Sequence, residues 1–138
     1  MNALIRVVGV LLLLTAAFVA IYFVVDQLDI LPSLWNALNY PMALAILLGI
    51  AFTQIRKRKL ESDGLDRILT RQYIETNILA YGFIIIALLF FWNWFHELTE
   101  SDAEGSTLRS LTWVAVDVAF PLLAASLGSR LLRGDSDK

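Results

Sequence analysis

The sequence predicts an all-α fold: an integral membrane four-helix bundle with both termini cytoplasmic and a short amphipathic cytoplasmic helix between spans two and three. Three observations lead there. Hydrophobic residues make up 58% of the 138 positions and charged residues 17%, against about 45–50% and about 25% in ordinary soluble domains. The apolar residues fall into four blocks, each long enough, at about 1.5 Å per helical residue, to cross a hydrocarbon core of about 30 Å. The basic residues are shared unevenly between the connections, and that bias orients spans. The same composition excludes a large soluble catalytic domain, a disordered tail and a coiled-coil rod. Residues 1–138 read as a single transmembrane domain.

The first span is expected over about Ala3–Val25, with Arg6 near its start and Thr15 at mid-length. Its apolar run from Val7 exceeds the core of about 7–15 residues found in secretory signals, and Ala16, Ala17 and Ala20 form no A-x-A site, so the span is expected to be retained. A short outer connection, Asp26–Ser33, places Pro32 and Ser33 where span two should start. That span covers about Leu34–Ile55, and Pro41 inside it is expected to bend the helix. Arg56, Lys57, Arg58 and Lys59 follow as an inner-face anchor and a candidate docking surface for a partner or anionic lipid. Asp63 is expected to cap a helix beginning at Gly64, with Leu65, Ile68, Leu69 and Tyr73 near one face and Arg67, Arg71 and Glu75 elsewhere. An extension of span three backwards satisfies the same pattern. Span three covers about Asn77–Phe95 and span four about Leu108–Leu132. The acidic connection between them, Glu97–Thr107, reads as solvated, and its carboxylates lack the alternating spacing of a calcium loop.

Four spans put Arg6, the Arg56–Arg71 connection and the carboxyl end on one side, with ten of the eleven basic residues. The other side holds only Arg109, against Asp26, Asp29, Glu97, Glu100, Asp102 and Glu104. Both termini are therefore expected in the cytoplasm, and the membrane is expected to be of the bacterial inner-membrane type. Trp35, Trp92, Trp94 and Trp113 all gather toward the outer side, joined by Tyr22 and Tyr40. They form an aromatic belt, or the lining of an outward-facing pocket for a lipid, quinone or other apolar molecule.

Few residues could carry chemistry. Asp117 lies within span four, and a carboxylate at mid-helix costs about 2.5–3.5 kcal/mol on insertion scales, so it is a functional candidate by default. Pro121, four residues on, has no N–H to give the Asp117 carbonyl its helical bond. Asp117 has three readings: a buried carboxyl bonded to Trp113, Thr112 or Asn93, a contact with another subunit, or a group on an ion or proton path. His96, with Glu97 beside it, closes span three at the outer interface. A lone histidine cannot supply both axial ligands of a b-type haem within one chain. Asn93, Trp92 and Trp94 stand with it as outer-interface contacts.

The absence of cysteine excludes disulfides, iron–sulfur clusters and thiol chemistry. No G-x-S-x-G or phosphate-binding glycine loop occurs. No cofactor is predicted, and a net charge of −2 argues against a nucleic-acid partner. Small residues four apart (Ala16/Ala20, Ala45/Gly49, Ala115/Ala119, Ala124/Gly128) favour close helix packing, within the chain or with partners. The reading these features favour is a non-catalytic accessory subunit of a larger membrane oxidoreductase or transporter, contributing assembly and helix packing. Its expected partners are the lipid bilayer and other membrane subunits, in a hetero- or homo-oligomer. The alternative is a small homo-oligomeric ion- or proton-coupled carrier or channel that uses Asp117. An enzyme or cytochrome subunit acting on an apolar molecule has only His96 behind it.

Overall fold

The computed structural model describes residues 2–64, 70–99 and 107–134, which form four helices and no strand among the described residues. They are α1 (Ala3–Asp26), α2 (Trp35–Ser62), α3 (Arg71–Thr99) and α4 (Thr107–Arg133), all long and apolar enough to cross a membrane. Many of their residues are β-branched, which in water weakens a helix. In a hydrocarbon layer the helix is nevertheless imposed, because every N–H and C=O must be satisfied within the segment.

Each helix turns one narrow seam inward. On α1 it comprises Val8, Leu12, Ala16, Val19 and Tyr22, and on α4 Val116, Phe120, Ala124 and Leu127. Both seams step by three and four residues, the spacing of helices that pack lengthwise at a shallow angle. α3 repeats the pattern with Leu79, Phe83, Ile86, Phe90 and Asn93. The opposite faces are apolar as well: Leu4, Leu14, Ile21, Ile78, Ile85, Leu88 and Leu122 are among the exposed residues. The polar side chains Asn39, Thr53, Thr76, Asn93 and Asp117 are buried instead. Apolar outside with scattered polar residues inside is a distribution suited to a lipid solvent.

Successive helices are antiparallel. α1 packs on α4 and α2, α3 on α2 and α4, and α2 touches α4 across the middle. The termini and the α2–α3 connection share one end, here the proximal end, and the other two connections share the distal end. At the proximal end the backbones of α1 and α4 nearly touch: a methyl on Gly128 would lie 2.9 Å from the Gly9 carbonyl oxygen. Further along, the Phe83 ring of α3 lies flush on Gly49 of α2. Of the small-residue steps, Ala45/Gly49 and Ala124/Gly128 are wholly buried, whereas Ala20 and Ala115 are exposed. The glycines of the two buried steps, Gly49 and Gly128, make contacts within the chain.

The helices exceed the apolar blocks, and the proximal turn differs from expectation. Asp63 does not start a helix. It is the C-cap of α2, its N–H donating to the Lys59 carbonyl at 3.0 Å. Gly64 follows in the left-handed region (φ +74°), where glycine closes helices without a Cβ penalty. Arg56–Glu61 are good helix formers, so nothing stops α2 earlier. The rest of the expected amphipathic helix, with Leu65, Arg67, Ile68 and Leu69, lies outside the described residues. Arg71, Tyr73 and Glu75 belong to the first turns of α3, where the Thr70 hydroxyl accepts the Tyr73 N–H at 3.2 Å, an N-cap bond. Ser33 does not cap α2 either; Leu34 occupies that position with no side-chain cap. The outer connection is shortened too, since Glu97–Thr99 are still helical; residues 100–106 lie outside the described ones. Pro41 and Pro121 both sit inside continuous helices.

An ion-pair cluster ties the proximal end. Glu75 accepts from Arg130 of α4 at 2.6 Å and from Arg71 at 2.8 Å. Hydrogen bonds from Arg71 and then Arg130 hold the Glu75 carboxyl below its ordinary pKa of 4.5. A depressed carboxyl pKa stabilises the fold above the unfolded-state value, and that gain disappears as pH falls through the folded value. Stability in detergent micelles is therefore expected to decline below about pH 4.5, and this part of the decline should vanish in Glu75→Gln. Thermal unfolding of both proteins from pH 7 to pH 3 checks it; parallel curves would remove Glu75 from the acid response. High salt should weaken the pair, as it does other exposed ion pairs.

Candidate functional site

The distal end contains a cavity of about 330 Å³, lined by Ser33, Trp35, Asn36, Asn39, Glu97, Trp113 and Asp117. Its residues come from three helices and the α1–α2 connection, and the local structure fixes them firmly. Tyr22 of α1 holds that connection from below: its hydroxyl donates to the Pro32 carbonyl (3.0 Å) and accepts the Leu34 N–H (2.7 Å). Trp35 stands edge-on to Tyr22, with ring centres 4.9 Å apart, and donates its indole N–H to the Asp26 carboxylate at 2.8 Å. Across the cavity, Trp113 is wedged edge-on against the buried Phe90 ring, 5.7 Å between centres. The indole walls are thus set before any ligand arrives, which lowers the ordering cost of binding.

Asp117 is 7% exposed, and its Oδ1 is buried without a hydrogen-bond partner. Two of the three candidate donors are committed elsewhere. Asn93 donates to the Arg109 carbonyl at 3.2 Å, and the Thr112 hydroxyl to the Leu108 carbonyl at 2.9 Å. The side-chain bond expected from Asn93 or Thr112 is therefore absent: Asn93 reaches across to a backbone carbonyl of α4, and Thr112 bonds back within its own helix. Asp117 lines the cavity within its own chain. A buried acceptor left unpaired costs about 1–3 kcal/mol, and more when charged. Such a residue is tolerated where something else supplies the partner.

The other sequence candidates are dispersed. Trp113 and Asp117 share the cavity, while Asn93, Trp92, Trp94 and His96 do not line it. Trp94 packs among Tyr40, Phe90 and Phe91. Trp92 is exposed on the bundle surface and stacks on His96, rings 3° from parallel. Of the basic run, Lys57 is engaged within the chain. Its ammonium donates to the Tyr81 hydroxyl at 2.9 Å and lies 3.9 Å from Glu61, whereas Arg58 and Lys59 are exposed. Hydrogen bonding to Tyr81 raises the Lys57 pKa above its ordinary 10.5. Pro121 lies one turn beyond Asp117 and is not a lining residue.

Sequence reasoning missed Ser33, Asn36 and Asn39 and treated Glu97 only as an interface residue. A signal existed for the two asparagines. Asn36 and Asn39 are three apart, so they share a helical face beside Trp35, and two amides on one face of an apolar span are costly unless that face is wet or paired. Among the described residues, no cluster of three or more histidine or carboxylate side chains could hold a metal. In comparisons with known proteins, no family model, no curated sequence and no solved structure matches this chain.

Proposed function

We propose that the chain is an integral membrane protein with cytoplasmic termini that binds a small polar solute in the distal pocket, as the recognition element of a carrier. The buried, unpartnered Asp117 carboxyl at a preformed cavity is the observation that carries this reading. Three helices and the α1–α2 connection of one chain supply the lining residues. The orientation rests on the ten basic residues of the proximal side, and it opens the pocket away from the cytoplasm.

The cysteine-free sequence makes a direct test simple. In intact cells, Asn36→Cys should react with a membrane-impermeant thiol reagent, and Asn2→Cys only after permeabilisation; the reverse pattern overturns the orientation. Asn39→Cys, at a buried position that lines the cavity, should react with a small impermeant methanethiosulfonate in the folded protein. If it stays unmodified while Asn36→Cys reacts, the solute pocket is not open to water and the reading falls.

A second reading, the accessory subunit of a larger complex in a bacterial-type inner membrane, is favoured by the apolar groove on the α2–α3 face. Ile50, Ile84, Leu88, Phe91 and Phe95 line it, a surface suited to packing against another apolar helix. Extraction in mild detergent followed by mass spectrometry distinguishes the two; recovery of this chain alone sinks the accessory-subunit reading.

A further inference from the structure

Resting on the solute-binding reading, we infer that the ligand of the distal pocket is a small organic ammonium ion. Three features of the cavity specify that chemistry. Asp117 lines the cavity with a carboxylate whose buried Oδ1 has nothing donating to it, and a protonated amine beside that carboxylate brings both an N–H donor and the opposite charge. Trp35 and Trp113 line the cavity, and tryptophan is the aromatic residue that attracts cations most strongly. Glu97 also lines it, and Asp26 is bonded to the Trp35 wall, so the field around the entrance draws cations in.

The alternatives fit less well. An anion would meet carboxylates with no basic side chain among the lining residues. A bare alkali or alkaline-earth ion needs about six or more oxygen ligands at close range. This cavity offers one buried carboxyl, two amides, a serine and a peripheral Glu97 around about 330 Å³, which is far more room than such an ion fills. The volume suits a cation carrying a compact organic body between two indoles, at the lower end of the range for small-molecule sites. Asn36 and Asn39 add amide oxygens that can accept further N–H bonds.

The test uses the full chain in detergent micelles, with benzylammonium as the probe and its neutral isostere benzyl alcohol as the control, read by tryptophan fluorescence and calorimetry. Benzylammonium should bind with a Kd at least about tenfold lower than that of benzyl alcohol, and Asp117→Asn should remove that preference. Trp113→Leu should weaken benzylammonium by about two- to tenfold and leaves Asp117 in place, which keeps the test decisive if Asp117→Asn folds poorly. An independent measurement uses Asn39→Cys: a trimethylammonium methanethiosulfonate should react faster than the sulfonate analogue, and Asp117→Asn should collapse the ratio. Equal binding of amine and alcohol, failure of both to bind, a benzylammonium affinity untouched by Trp113→Leu, or displacement of benzylammonium by millimolar sodium each overturns the ammonium assignment. If Asn39→Cys reacts with both reagents at equal rates, the pocket is open and the solute-binding reading stands while the cation preference is lost.

Discussion

Replacing Gly49 with alanine is expected to destabilise the protein by about 2–3 kcal/mol, the cost of overpacking a filled core. The new methyl would lie 2.3–2.6 Å from three carbons of the Phe83 ring, well inside van der Waals contact. Phe83 is fully buried, so its ring cannot swing away without displacing neighbours. Alanine gains up to about 1 kcal/mol of helix propensity over glycine, which offsets only part of the loss. A smaller side chain at position 83 should restore the balance: Gly49→Ala combined with Phe83→Leu is expected to be more stable than the sum of the single changes predicts. Thermal or SDS-induced unfolding in micelles measures the cycle. Strict additivity would mean that the Gly49–Phe83 contact is not what limits the α2–α3 approach.

Asp117→Asn is expected to act in the opposite direction on stability. The substitution keeps shape and volume and removes the charge from a site where Oδ1 has no donor. Relieving an unpaired buried charge is worth about 1–3 kcal/mol, so the variant should unfold at a higher temperature at pH 7 while losing solute binding. Functional sites commonly hold such a reserve of instability. A lower unfolding temperature would show that a partner within the bundle holds Asp117, which would make it a structural residue. The two substitutions thus separate packing from function: one damages the fold at a contact distant from the pocket, the other strengthens the fold and empties the site.

Much of the architecture was legible because four long apolar blocks leave a chain few choices. Val7–Val25 reads as helical because it is long and apolar, and α1 covers it. Helix limits were harder to read. Arg56–Glu61 extend α2 beyond its apolar block because charge does not terminate a helix, whereas the left-handed Gly64 does. Asp63 resembled an N-cap only because caps at either helix end draw on the same small polar residues. The site was half legible. Asp117 stood out by cost alone, and Trp113 by its place one turn away. Asn36 and Asn39 escaped because their shared helical face beside Trp35 was not weighed, although two amides three apart in an apolar span are themselves a signal. The Glu75–Arg130 pair bridges 55 positions, and no local pattern carries such a partnership.

The close fit of α1 against α4 has a consequence for how the chain is made. The Gly9–Gly128 approach joins the first helix to the last, and α4 begins about eighty residues after α1 ends. At about 5–20 residues per second, the ribosome leaves α1 without its main neighbour for about 4–16 s. During that interval Val8, Gly9, Leu12 and Ala16 lack the surface that buries them in the finished bundle. The final assembly step is therefore long-range and late, the kind of contact that slows maturation and exposes intermediates to proteolysis. Truncation before residue 107 would leave three helices with an open flank where α4 packs on α1 and α3.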